Sequence, residues 1–129
     1  GYSISVDNGP ARAAGLGAGL KAAGEAIGEP FELSVVRRED VDFIAPKTGE
    51  YDVKQGNTAP SVSTPRGHMF PAAFMAIASG LAAHGCDSED PIAYAHLDIA
   101  AAATAADAVV TGAPVAALTA FYGKLAGKA

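Results

Sequence analysis

The period of the apolar residues changes at Asp7-Asn8-Gly9-Pro10, and that change constrains the fold more than any other feature. Tyr2, Ile4 and Val6 alternate with Ser3, Ser5 and Asp7, the period of two of a strand with one buried face. Asp7 or Asn8 can then cap a helix, Pro10 suits its first turn, and Leu16, Leu20, Ala23 and Ile27 recur at helical spacing. A strand ending at Asp7 and one helix over about 10–27 are expected. Gly15, Gly17, Gly19 and Gly24 each weaken such a helix by ~1 kcal/mol relative to Ala, so close tertiary packing has to compensate.

The same switch recurs downstream. Gly28-Glu29-Pro30 stops the helix, and Phe31, Leu33 and Val35 alternate in a second strand to about Val36. From Arg38 to Pro65 no period persists and Pro46, Pro60 and Pro65 interrupt the chain. A long ordered loop is expected there, with the adjacent charges Arg37, Arg38, Glu39 and Asp40 as a solvated turn. Such a loop in a compact domain usually serves function or packs against something else. Residues 69–81 are apolar almost all round, which predicts a buried helix, and 92–99 predict a third strand, placed centrally. A last helix should follow Gly112 and Pro114, with Val115, Leu118, Phe121, Tyr122 and Leu125 as its apolar stripe. Strands alternating with helices predict an α/β layered αβα domain of about three strands and three helices.

With 129 residues, the chain fits one domain over 1–129. Nine basic against fourteen acidic groups give a net charge of -5, which opposes nucleic acid or an anionic membrane as partner. No apolar run approaches the ~20 residues of a membrane span. Cys86 is the single cysteine, so an intrachain disulfide is impossible and a reducing cytoplasm is the expected setting. The sequence begins at Gly1 without an initiator Met and is at once in a strand pattern, so it reads as a piece of a longer chain.

The best polar pair is His96 and Asp98. Two residues apart on the third strand, they share a face with Tyr94. In open α/β sheets ligands gather at the carboxyl ends of strands, where Asp98 and Ala100 would then lie. The pair could be metal ligands or an acid/base couple; a His held by a carboxylate or carbonyl is the favoured alternative, because two ligands do not define a metal site. Arg66 and His68 stand at the entrance of the 69–81 helix, where an anion could bind, although pairing of Arg66 with a carboxylate of the preceding loop is favoured. Gly15, Gly17 and Gly19 lack the register and the Lys-Ser/Thr of a phosphate loop. Cys86 has His84 and His96 as conceivable activators but lies in a polar turn, and Ser61, Ser63 and Thr64 lack a nucleophile elbow. The Ala-rich run 100–106, between Asp98 and Asp107, reads as a tightly packed loop or short helix.

Ala95-His96-Leu97-Asp98-Ile99-Ala100 resembles the late strand motif of the leucyl aminopeptidase (cytosol aminopeptidase) family, Ala-His-Leu-Asp-Ile-Ala-Gly. The stretch Ala22 to Pro30, the segment Arg66-Gly67 with Phe70-Pro71-Ala72-Ala73-Phe74, and Thr111-Gly112-Ala113-Pro114 with Leu118 and Phe121 resemble, in order, other late segments of the same family. The resemblance implies the C-terminal part of a zinc-peptidase-like catalytic domain. Its parent would release N-terminal residues from peptides with two divalent metals, zinc or manganese, as a cytoplasmic hexamer. The family's metal ligands and catalytic arginine lie in an earlier Lys/Asp segment and an Asn-Thr-Asp-Ala-Glu-Gly-Arg motif. Neither occurs here, so the resemblance assigns no metal ligand and no catalytic residue to this chain, and alone it is expected to be inactive.

What the resemblance does assign is one wall of the pocket for the substrate's N-terminal side chain, at Ala100 and Ala103, with His96 and Asp98 as support. Two positions depart from the family: Ala101 replaces its Gly, and Ala103 a larger apolar residue, which leaves side-chain preference open. The contrasting reading is a non-catalytic module that binds a peptide or assembles with itself.

Overall fold

A computed structural model of the chain describes residues 2–55 and 63–127. Pro60 and Ser61 lie outside them, and the side chain of Leu125 is likewise not described. The elements in chain order are β1 (Ser3–Asp7), α1 (Gly9–Ala13), α2 (Leu16–Ile27), β2 (Phe31–Ser34), α3 (Arg38–Phe43), a 3-10 turn (Gly67–Met69), α4 (Phe70–Ala78), a second 3-10 turn (Leu81–Ala83), β3 (Ala95–Asp98) and α5 (Val115–Ala126). This is a layered α/β domain, as the alternating periods predict.

The sheet has the order β2-β1-β3. β1 runs parallel to β2, with Ser3 beside Phe31 and Val6 beside Ser34, and antiparallel to β3, with Ile4 beside Asp98 and Val6 beside His96. The third strand is therefore at an edge and not central, and β1 is buried from both sides. Its polar residues point inward: Ser3, Ser5 and Asp7 are among the most buried side chains. Ser5 and Asp7 are tolerated because hydrogen bonds replace water, whereas the Ser3 hydroxyl is buried with no hydrogen-bond partner among the described residues. The Ser5 hydroxyl donates to Asp7 Oδ1 at 2.8 Å, and the Gly17 N–H donates to Asp7 Oδ2 at 2.8 Å.

That last bond fixes α2 on one face of the sheet. A Cβ at position 17 would overlap the Asp7 carboxylate, so glycine is required for the approach. The expected single helix is in fact two, because Gly15 takes φ 69° between them, a left-handed turn that other residues rarely adopt. Asn8 caps α1 by accepting from the Ala11 N–H at 2.9 Å. α5 packs across α2, and the Ala117 N–H donates to Glu29 Oε2 at 2.6 Å.

The opposite face carries Ile4, Val6, His96 and Asp98 and is covered by α4. Val6, Met69 and Ala72 form one buried cluster; Ile44, Phe70 and Ala73 form a second. α4 is thus buried along one side only, and Met75 on its other side is 46% exposed. The segment after Val36 differs from the expected loop in starting with α3. The Asp40 side chain accepts from the Arg37 N–H at 2.8 Å, and Glu39 and Asp40 suit the positive end of a helix. Phe43 then stacks on Phe70 with ring centroids 4.0 Å apart, tying α3 to α4. Nor is that charged stretch simply solvated, since Asp40 is 1% exposed.

Candidate functional site

Arg66 follows Thr64-Pro65 in a left-handed conformation, φ 55°, which a non-glycine residue adopts only when its surroundings hold it there. Asp40 does so. Arg66 Nε donates to Asp40 Oδ1 at 2.9 Å and one terminal nitrogen to Asp40 Oδ2 at 2.7 Å; the same nitrogen also reaches the Val35 carbonyl at 2.9 Å. The favoured pairing of Arg66 with a preceding carboxylate is therefore observed. Burial alone would raise the Asp40 carboxyl. The hydrogen bonds from Arg66 and the Arg37 N–H, with the charges of both arginines, outweigh it and hold the group below the usual carboxylate range.

The turn so anchored faces the end of β3. Thr64, Arg66, Gly67 and His68 line a cavity of about 350 Å³ together with Tyr2, Ile4, Asp98, Ala100 and Ala101. Asp98 Oδ1 accepts the Ala100 N–H at 3.1 Å, so the carboxylate shapes the turn that presents Ala100. Two sequence segments singled out separately, 64–68 and 98–101, thus meet at one cavity. Ala103 does not line it; its N–H donates to the Ile99 carbonyl at 2.8 Å and its carbonyl accepts from Thr111 at 2.9 Å.

Because β3 is antiparallel to β1, this cavity lies at the amino end of β1. The expectation that Asp98 and Ala100 sit at the carboxyl ends of the parallel strands is corrected by that pairing. His96, half-buried beside Val6, has its Nδ1 3.4 Å from the Tyr94 hydroxyl. Burial pushes its pKa below the ordinary value, and the nearby Asp98 charge restores only part of it. The neutral imidazole is the form this position favours. Burial likewise raises the Tyr94 phenol.

The remaining candidates stand apart. Cys86 is exposed beside Pro10 and Ala14, while His84 Nδ1 lies 2.8 Å from the Asp90 carbonyl within its own turn. Among the described residues no group of three His, Cys, Asp or Glu side chains could hold a metal ion. None of the described helices is long and apolar enough to cross a membrane. Asp40 and Tyr2 were not marked as site residues by sequence reasoning. The signal for Asp40 was available as an acidic residue in the first turn after an extended Arg37; Tyr2 offered none beyond its place in the strand.

Fold and cavity together define a layered α/β domain with a polar recess walled on one side by small residues. Comparison with known proteins adds a relative. Over 98 residues, 76% of this chain, it is 42% identical to the Caenorhabditis elegans protein named "Putative aminopeptidase W07G4.4". The matched region is 19% of that protein's length. No family model matches the chain, and no solved structure matches it significantly. The chain is accordingly related in sequence to a protein named as an aminopeptidase, of which it spans about a fifth.

Proposed function

We propose that this chain is the C-terminal part of the catalytic domain of a leucyl aminopeptidase-type enzyme, which releases N-terminal residues from peptides. The observation that carries the reading is the meeting of the Asp98–Ala100 and Arg66–His68 segments at one cavity, in a chain 42% identical to a protein named as an aminopeptidase. Ala100 would contribute to the pocket for the substrate's first side chain, while Ala103, expected beside it, lies outside the lining of that cavity. Asp98 holds the turn of Ala100, and His96 supports the strand behind it.

The two divalent metals of such an enzyme, zinc or manganese, would activate water and bind the free amine. The described residues offer them no ligand set. In this reading the metals belong to other sequence of the same protein, and this chain supplies scaffold and one wall of the pocket. A cytoplasmic, hexameric parent belongs to the same proposal.

The test is an assay on two preparations. With added manganese or zinc, the isolated chain should not hydrolyse a leucine anilide, whereas a longer protein carrying this segment with its metal-binding part should. Metal-dependent turnover by the pure chain would contradict the assignment of roles. A folded, metal-loaded longer protein without aminopeptidase activity would sink the proposal itself and favour a non-catalytic peptide-binding or self-assembly module.

A further inference from the structure

A second cavity lies on the same face of the sheet but at the other end of β1. It measures about 300 Å³, within the range of small-molecule sites, and opens at the carboxyl ends of the parallel strands β1 and β2. That is the position where ligands gather in open α/β sheets. Its floor is Val6 with Ala72 and Ala73, and its walls include Val35, Val41 and Ile77. Val35 and Val41 are 42% and 37% exposed, so apolar surface continues to the rim. The alanines of α4 are what keep it open; larger side chains there would fill it.

Two charged groups border this apolar space. The Asp7 carboxylate is already engaged, accepting from the Ser5 hydroxyl and the Gly17 N–H on the far side of the sheet. Arg12, on α1, is exposed, and its guanidinium makes no hydrogen bond or ion pair among the described residues. The hydrogen bonds to Asp7 leave its charge in place, but its carboxylate is turned to Gly17 of α2, so the charge displayed at the open edge of the cleft is the Arg12 guanidinium. A guanidinium suits a carboxylate by geometry as well as sign.

We propose that this cleft binds a small branched apolar monocarboxylate, its hydrocarbon end among Val35, Val41 and Ile77 and its carboxylate on Arg12. Occupancy at this end of β1 would be independent of the cavity at Ala100, because the two share no lining residue.

Titration of the intact chain with isocaproate, followed by NMR chemical shifts, tests the proposal. Saturable shifts should appear at the residues of α1 and α4 that line the cleft, and isohexanol, of equal length but uncharged, should bind about tenfold more weakly. Arg12→Gln should remove that difference, and because Arg12 is exposed this variant is expected to fold. Ala76→Phe, checked for folding by circular dichroism, should abolish binding of both. Absence of saturable shifts, equal affinity for acid and alcohol, or undiminished acid binding by Arg12→Gln would each overturn the proposal.

Discussion

Asp40 is the residue on which the candidate site depends most, although it touches no part of the cavity. Its carboxylate holds Arg66 in a left-handed turn and caps α3 at once. Asp40→Ala should destabilise the chain by about 1–2 kcal/mol, allowing for the water that reaches Arg66, and a urea midpoint indistinguishable from wild type would refute this anchoring role. The pH dependence has a definite sign. The carboxyl is lowered on folding, so its contribution is present above the unfolded value near 3.8 and is lost as pH falls through the lower folded value. His96 is also lowered on folding. Its stabilising effect is complete above the unfolded value of 6.5 and declines as pH falls from there toward the folded value. His96→Gln should flatten the fall in melting temperature over that acid range; an unchanged slope would mean that His96 is as solvated as in the unfolded chain.

At the scale of elements, the positions of helix α2 and strand β3 decide where the site can be. Gly17 shows why propensity alone misleads. Replacing a helical glycine by alanine ordinarily gains up to ~1 kcal/mol, yet here the new methyl would overlap the Asp7 carboxylate. Gly17→Ala is expected to cost about 1–2 kcal/mol net, visible as a lower denaturation midpoint; a raised midpoint would mean that α2 can shift away from β1. The strands and most helices were legible because their periods survive in single stretches such as Ile4/Val6 and Leu16/Leu20. The break at Gly15 was hidden by its neighbours' helical spacing. α3 was hidden because its stability comes from the Asp40 cap and the Phe43–Phe70 stack, and the latter contact is remote in sequence. Strand direction was not legible either, since alternation reads the same for parallel and antiparallel neighbours.

Across the whole molecule, a three-stranded sheet separates two regions of different character. On one side α2 closes over the buried serines and Asp7 of β1, with α5 packed across α2; on the other, α4 leaves a polar cavity at one end of β1 and an apolar cleft at the other. The motif around Asp98 and the turn at Arg66 were both readable as candidate features. Their meeting was not, because it depends on the antiparallel placement of β3 and on the Asp40–Arg66 anchor. The central claim is that the cavity beside Ala100 receives the first side chain of a peptide. Its most direct test is Ala100→Leu in a metal-loaded protein carrying this segment, assayed with Leu, Phe and Ala substrates. The account predicts about a tenfold or greater loss of kcat/KM for Leu and Phe relative to Ala, with metal content unchanged. Equal effects on all three substrates, or none, would contradict it.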